Sequence, residues 1–239
     1  MRFVSALGYD MKLQARHGFY YAYLIISILY IILLQALPGE YRQLTGIILT
    51  FSDPSALGFF FIGGLVLLEK GQGIHDSLFV TPYTTSEYIW SKTLSLMLLS
   101  LLTSTVIHLS AFGLSAGSSL LPFWAGVGLT SIFFTLIGLG VAAGCQTLNG
   151  FFLQSMLVTA VFYLPLLEIV GVYDRLHLLY AVLPTHATLL LLKSPFEPVS
   201  NLTLLYAMLQ LGAWIALAYL WTRRMFTRAV ILKIGKGEG

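Results

Sequence analysis

The residues in this chain with the types and spacing of a catalytic site are Gly113-Leu114-Ser115-Ala116-Gly117, a G-x-S-x-G pattern, with His108 and His186 as possible proton acceptors. That chemistry needs a sharp strand-to-helix turn that holds the serine hydroxyl clear of the backbone. Here the serine ends a long apolar run and precedes a Gly/Ser loop. Small residues that let helices approach closely in lipid meet the pattern more simply, a usage repeated at Gly140 with Gly144 and Gly126 with Gly128. A phosphate-binding G-x-x-x-x-G-K-[ST] loop is missing, and Gly235, Lys236 and Gly237 lack its spacing and its following helix. The chain is therefore expected to be no ATPase and to hold no cofactor of its own.

Metal chemistry has as little support. His17, His75, His108, His177 and His186 are spread over different segments, none in an i, i+4 pair with another ligand. The lone cysteine, Cys145, excludes an internal disulfide and a cysteine cluster, and reads as a small buried side chain. Asp53, before Pro54, and Glu168, a turn beyond Pro165, lie inside apolar runs where a carboxylate is costly. Both map near the outer interface, as an interfacial turn and a solvated helix end or as groups with a substrate or proton role.

The elements that must position these residues follow from composition. Of 239 residues 57% are hydrophobic and 10% charged, with mean hydropathy +0.85, which excludes an ordinary soluble domain. Apolar runs near 19–37, 47–68, 93–115, 121–144, 151–171 and 201–222 are long enough to cross a hydrocarbon core of about 30 Å as helices. The expectation is an all-α protein with one transmembrane domain over 1–239 and six spans. Arg2, Lys12 and Arg16 precede the first run, Lys70 and Lys92 flank the 69–92 loop, and Arg223, Arg224, Arg228, Lys233 and Lys236 follow the last. Only Arg42, Arg175 and Lys193 fall on the other side, so both termini and the 69–92 loop are expected in the cytoplasm and 172–200 outside. The net charge of +3 is explained by this topology and gives no reason to invoke nucleic acid. Residues 1–18 are too polar for a cleavable signal; Phe3, Leu7 and Met11 share a helical face, which suits a helix lying in the inner interface. Residues 223–239 form a basic tail.

Between two greasy runs, Glu69 to Lys92 is polar and rich in turns. Gly71 and Gly73 permit a sharp redirection, Ile74, Leu78 and Phe79 give a short helix one apolar side, and Pro82 stops it. Ser86 with Glu87 then opens the next helix. Glu69 and Lys92 bracket the loop as opposite charges, an exposed pair contributing about 0–1 kcal/mol.

The run from Leu65 to Lys92 resembles the signature of type-2 ABC exporter permeases, with Glu69, Gly73, Leu78, Thr81, Pro82, Glu87 and Lys92 in the family's places. Leu183-Pro184-Thr185-His186-Ala187 is similar to the family's segment before the last span, with Leu183 where Asn is frequent. The resemblance implies that a coupling helix around 71–80 docks on a separate ATP-binding cassette subunit, and that the N-terminal helix braces it. It also implies that ATP is bound by that partner and that a second permease copy, or a related permease, completes the assembly in the cell membrane among its lipids. Broken, re-entrant helices are implied between Pro165 and Pro195, which the proline spacing supports. Few charges inside the spans and many Tyr, Phe and Met favour a lipophilic or amphiphilic cargo such as a drug, lipid or peptide. The competing class is a stand-alone membrane protein, either a serine protease or a small carrier; no paired broken helices in an inverted repeat support the carrier.

Overall fold

The computed structural model describes residues 2–54, 58–74, 83–113, 120–169, 171 and 177–231. Among them the chain is helical, without a strand. In order the helices are α1 (Arg2–Arg16), α2 (Phe19–Ala36), α3 (Gly39–Ser52), α4 (Gly58–Gly71), α5 (Thr85–Phe112) and α6 (Leu120–Gly144). They continue with α7 (Leu148–Phe162), α8 (Leu166–Ile169), α9 (His177–Val182), α10 (Pro184–Lys193) and α11 (Asn201–Phe226), which runs into a π-helix at Thr227–Ile231. Leu78, Phe79, Thr81, Pro82, Ser115, residues 172–176 and the end of the basic tail lie outside the described residues.

Among the described residues four helices are long and apolar enough to cross a membrane: Phe19–Ala36, Thr85–Phe112, Leu120–Gly144 and Asn201–Ala229. Of the other two expected spans, residues 47–68 fall on α3, which continues as π-helical residues through Asp53 and Pro54, and on α4; residues 55–57 lie outside the described residues. The run 151–171 falls on α7 and α8, which part at a turn through Tyr163, Leu164 and Pro165, where Pro165 has no N–H to continue the ladder.

At Asp53, a helical residue, the expectation of an interfacial turn fails. Asp53 is fully buried, and its Oδ2 accepts from Thr103 Oγ1 at 2.6 Å and Ser104 Oγ at 3.4 Å, both from the middle of α5. Glu168 does keep its side chain 24% exposed, with His186 Nε2 3.9 Å away. The segment 172–200 is more than an outer loop: α10 sinks into the bundle with Ala187, Leu191 and Leu192 buried. Where Pro184 separates α9 from α10, Gln210 Nε2 donates to the carbonyls of Ala181 and Leu183 at 2.7 and 3.3 Å, and Trp214 Nε1 to that of Val182 at 3.0 Å. These side chains of α11 satisfy carbonyls that apolar surroundings would leave bare.

The centre of the bundle is α6, packed against α4, α5, α10 and α11. Its glycines set how closely these neighbours approach. A Cβ at Gly126 would stand 2.8 Å from Leu191 Cβ, one at Gly140 would enter the Trp221 ring, and one at Gly138 would stand 2.8 Å from the Phe59 carbonyl oxygen. At Gly144 the nearest atom is the flexible methyl of Met225, at 3.4 Å.

Helix α1 forms over most of the segment expected to be an interfacial helix. Its buried face carries Asp10 and Gln14, while Val4, Tyr9 and Met11 are exposed. The polar pair has partners on α5, and the apolar side chains are left to face the surroundings.

Gly138→Ala should lower stability by about 1–3 kcal/mol, because the backbone of α4 cannot yield. Gly144→Ala should be near neutral. Thermal unfolding in detergent, followed by the reactivity of Cys145, separates the two; burial pushes that thiol above its ordinary value, so it reacts once the fold opens.

Candidate functional site

Three consecutive residues at the end of α4 decide the geometry of the polar turn. Glu69 points into the bundle: its Oε1 lies 2.6 Å from Lys92 Nζ and its Oε2 accepts from Tyr88 OH at 2.6 Å. Lys70 reaches another way, its Nζ donating to the carbonyls of Ala143 and Cys145 at 3.2 and 2.8 Å. An ammonium at the C-terminal end of α6 satisfies carbonyls without intrahelical donors and complements the helix dipole. Gly71 then ends the helix, and Gly73 turns the chain with φ 65°, its N–H bonding to the Lys70 carbonyl at 3.2 Å. A left-handed φ of that kind favours glycine. Ile74 is helical, and the residues after it up to 82 lie outside the described ones.

The expected exposed pair of Glu69 and Lys92 is instead a buried triad. Lys92 is 2% exposed, Glu69 and Asp10 each 4%, and Asp10 Oδ1 lies 2.9 Å from Lys92 Nζ. Ser91 Oγ donates to Asp10 Oδ2 at 2.6 Å, and the Lys92 ammonium also sits 4.8 Å from the centre of the Tyr88 ring. One turn along, Gln14 Nε2 donates to Ser95 Oγ at 2.6 Å. Removing such charges from water is costly, so the arrangement persists only because every partner is present. It clamps α1, α4 and α5 together beside the turn. The two carboxylates on one ammonium leave a net negative site that Tyr88, Ser91 and the ring geometry distribute over hydroxyl donors.

Helix α5 is started by a capping box, with the Thr84 hydroxyl accepting from the Glu87 N–H at 3.2 Å and Glu87 Oε2 accepting from the Thr84 N–H at 2.8 Å. Glu87 is thus brought in as expected, but the cap is Thr84; Ser86 lies 3.0 Å from Tyr219 OH on α11 instead. Of the residues named from sequence, Glu69 and Lys92 meet, Gly73 and Glu87 shape the two ends of the turn, and Ile74 leads away from it. Leu78, Phe79 and Pro82 lie outside the described residues. Asp10 was missed. Its signal is that it is the first acidic residue of the chain, the next being Glu40, and that it stands one helical turn before Gln14.

Beside this end of α4 lies a cavity of about 750 Å³. Phe60, Phe61, Gly64 and Leu68 of α4, Phe19 of α2 and Phe152 of α7 line it, and His17, Gln72 and Gln146 supply its polar groups. Its size and mainly apolar lining with a few polar groups suit a drug-sized amphiphile. A Cβ on Gly64 meets nothing within 4 Å.

Of the G-x-S-x-G pattern only Gly113 is among the described residues. Gly113 follows the end of α5 with φ 69°, and His108 is buried against Phe112, Phe123 and Phe196.

Lys92→Met should destabilise the fold by about 3–5 kcal/mol, because two buried carboxylates would then face each other without a cation. Adding Asp10→Leu and Glu69→Leu to that variant should recover part of the loss. The reactivity of Cys145 during heating reads both; a triple variant no more stable than Lys92→Met would contradict the analysis.

Comparison with known proteins agrees with an export permease. Over 200 residues the chain is 29% identical to the fluoroquinolones export permease protein of Mycobacterium tuberculosis strain CDC 1551/Oshkosh, covering 83% of each chain. The same identity and coverage hold for the protein of that name from strain H37Rv. Residues 1–234 match one protein family as a whole. The chain belongs to the fluoroquinolones export permease protein family.

Proposed function

We propose that the chain is the membrane subunit of an exporter that moves lipophilic or amphiphilic drugs, fluoroquinolones among them, out of the cell at the expense of ATP hydrolysed by a separate ATP-binding cassette subunit. The observation that carries this reading is that one helix, α4, bears the anchored turn at Glu69–Gly73 and also lines the cavity with Phe60, Phe61, Gly64 and Leu68. A push on the turn therefore reaches the cavity through a single rigid rod.

In this reading α3 with α4, and α7 with α8, complete six crossings, and both termini and the 69–92 loop lie in the cytoplasm. The basic residues Arg223, Arg224 and Arg228 at the end of α11 support that orientation. The segment from Ile74 through Leu78 and Phe79 to Pro82 is the coupling helix that seats in the partner. Closure of that partner around nucleotide drives the turn, and α1, α4 and α5 move as one body because the triad binds them. The cavity wall on α7 belongs to another element, so the cavity changes shape. The aromatic lining accepts a flat ring system, and His17, Gln72 and Gln146 accept its polar groups. Exposed apolar side chains on α2 and α7, such as Leu29 and Leu157, face lipid or a second copy.

In a drug-sensitive bacterium that expresses the chain with its ATPase subunit, accumulation of a fluorescent fluoroquinolone should fall, and Ile74→Asp, Leu78→Asp or Phe79→Asp should restore it while insertion persists. Normal export by all three would contradict the coupling role, and ATP hydrolysis by the isolated, pure chain would contradict the division of labour. Gly64→Phe should fill the cavity and reduce export at least about tenfold without loss of folded protein, given how little a steric clash in a binding site is tolerated. Unchanged export by that variant would remove the cavity from the pathway.

A further inference from the structure

A second polar site lies in the bundle away from the triad, where α3 runs on into the π-helical residues Asp53 and Pro54. Asp53 stands there with no exposure. Its Oδ2 accepts from Thr103 and Ser104, but its Oδ1 has no hydrogen-bond partner. Among the described residues no cationic side chain forms an ion pair with it.

Two buried hydroxyls of α2 lie on the helix stripe that runs past Asp53. Tyr23 is 1% exposed and Ser27 6%; the Ser27 hydroxyl has no partner, and the Tyr23 hydroxyl has Ser100 as a polar neighbour. Tyr23, Ser27 and Tyr30 fall on one stripe of the helix at i, i+4 and i+7. Tyr30 OH lies 3.4 Å from Ser52 Oγ, next to Asp53, and the Tyr23 hydroxyl faces Ser100 and acts electrostatically on Asp53. A buried carboxylate with one oxygen unpaired, beside buried hydroxyls, is rare in folded proteins and marks a place for a guest. Acidic groups inside a membrane bundle are where membrane proteins hold ions and charged ligands.

We propose that Asp53, with Tyr23 and Ser27, forms an intramembrane binding site for a monovalent cation. One carboxylate and neutral hydroxyls balance a single positive charge, whereas a divalent ion would leave excess charge in an apolar setting. Oxygen donors of this hardness suit an alkali ion or an organic ammonium group, and disfavour the soft transition metals. Phe61 connects this site to the cavity: it lines the cavity and packs against the Tyr23 ring at 5.3 Å between centroids. Phe61 and Tyr23 are therefore the side chains that lie between the cavity and the site.

The experiment measures thermal unfolding of the purified chain in lipid nanodiscs by Cys145 labelling. Choline chloride, whose quaternary nitrogen has no N–H to give a carboxylate, is replaced at constant ionic strength by NaCl or KCl in one arm. Benzylammonium is compared with benzyl alcohol in the other. A cation that binds the folded state raises the unfolding temperature in proportion to its concentration over Kd. The expected result is a rise of several degrees in one arm, which identifies the source, and no rise with benzyl alcohol. Asp53→Asn should abolish it, and Tyr23→Phe and Ser27→Ala should each move the midpoint about three- to tenfold higher, the worth of one hydrogen bond. No rise with any cation, as for a carboxyl that keeps its own proton, overturns the proposal, as does a wild-type response in Asp53→Asn. If Asp53→Asn does not fold, an unchanged midpoint in both hydroxyl variants overturns it.

Discussion

A lysine ammonium held out of water must have its charge answered where it stands, and in this protein that requirement organises one whole end of the bundle. Lys92 lies inside the chain, so Glu69 must turn inward at the end of α4 and α1 must lie where Asp10 can reach it. Replacing Lys92 leaves two buried carboxylates without a cation, and replacing either carboxylate cuts its helix from the ammonium. The polar turn at Gly71–Gly73 is consequently built on a base that cannot shift locally. Lys70 adds a second anchor by holding the end of α6. A flexible connector between two spans would need neither.

The rest of the bundle extends that rigidity. Close contacts at Gly126, Gly138 and Gly140 bring α10, α4 and α11 directly against α6, and the Thr222 hydroxyl donates to the Leu136 carbonyl at 2.7 Å across the same interface. Without a hydrophobic driving force between helices in lipid, such contacts and interhelical hydrogen bonds are what hold them. Helix α7 is attached more loosely, with Leu153, Met156 and Leu157 exposed. The cavity lies between the tightly held α4 and this looser helix, which is where a change of shape costs least.

Much of this was legible in the sequence. Length and hydropathy identify α2, α5, α6 and α11, because an uninterrupted apolar helix leaves an uninterrupted apolar run. Of the residues named around the polar turn, Glu69 and Lys92 meet, and Gly73 and Glu87 stand at its two ends. Hydropathy is blind to the main chain, however, so the turn at Pro165 reads as part of a continuous span. Asp53 was assigned to an interface because a lone carboxylate is cheapest there, and the hydroxyls of Thr103 and Ser104 that receive it lie fifty residues away. Asp10 escaped notice for the same reason, as its partner is Lys92. At Thr84 the error was one of local chemistry: both Thr84 and Ser86 precede an acidic residue, and only the three-residue spacing to Glu87 closes the box.

The central claim is that α1, α4 and α5 move as one body, carrying force from the turn to the cavity. Spin labels at Lys12 and Gln72, both exposed, report α1 against the end of α4, and labels at Gln72 and Leu153 report α4 against α7. The measurement is pulsed electron-electron distance spectroscopy on the complex with its ATPase subunit, in a background with Cys145 replaced by serine, without nucleotide and with ATP trapped. The account predicts that the first distance stays the same in both states while the second changes. A first distance that changes with nucleotide while the second stays fixed would contradict it.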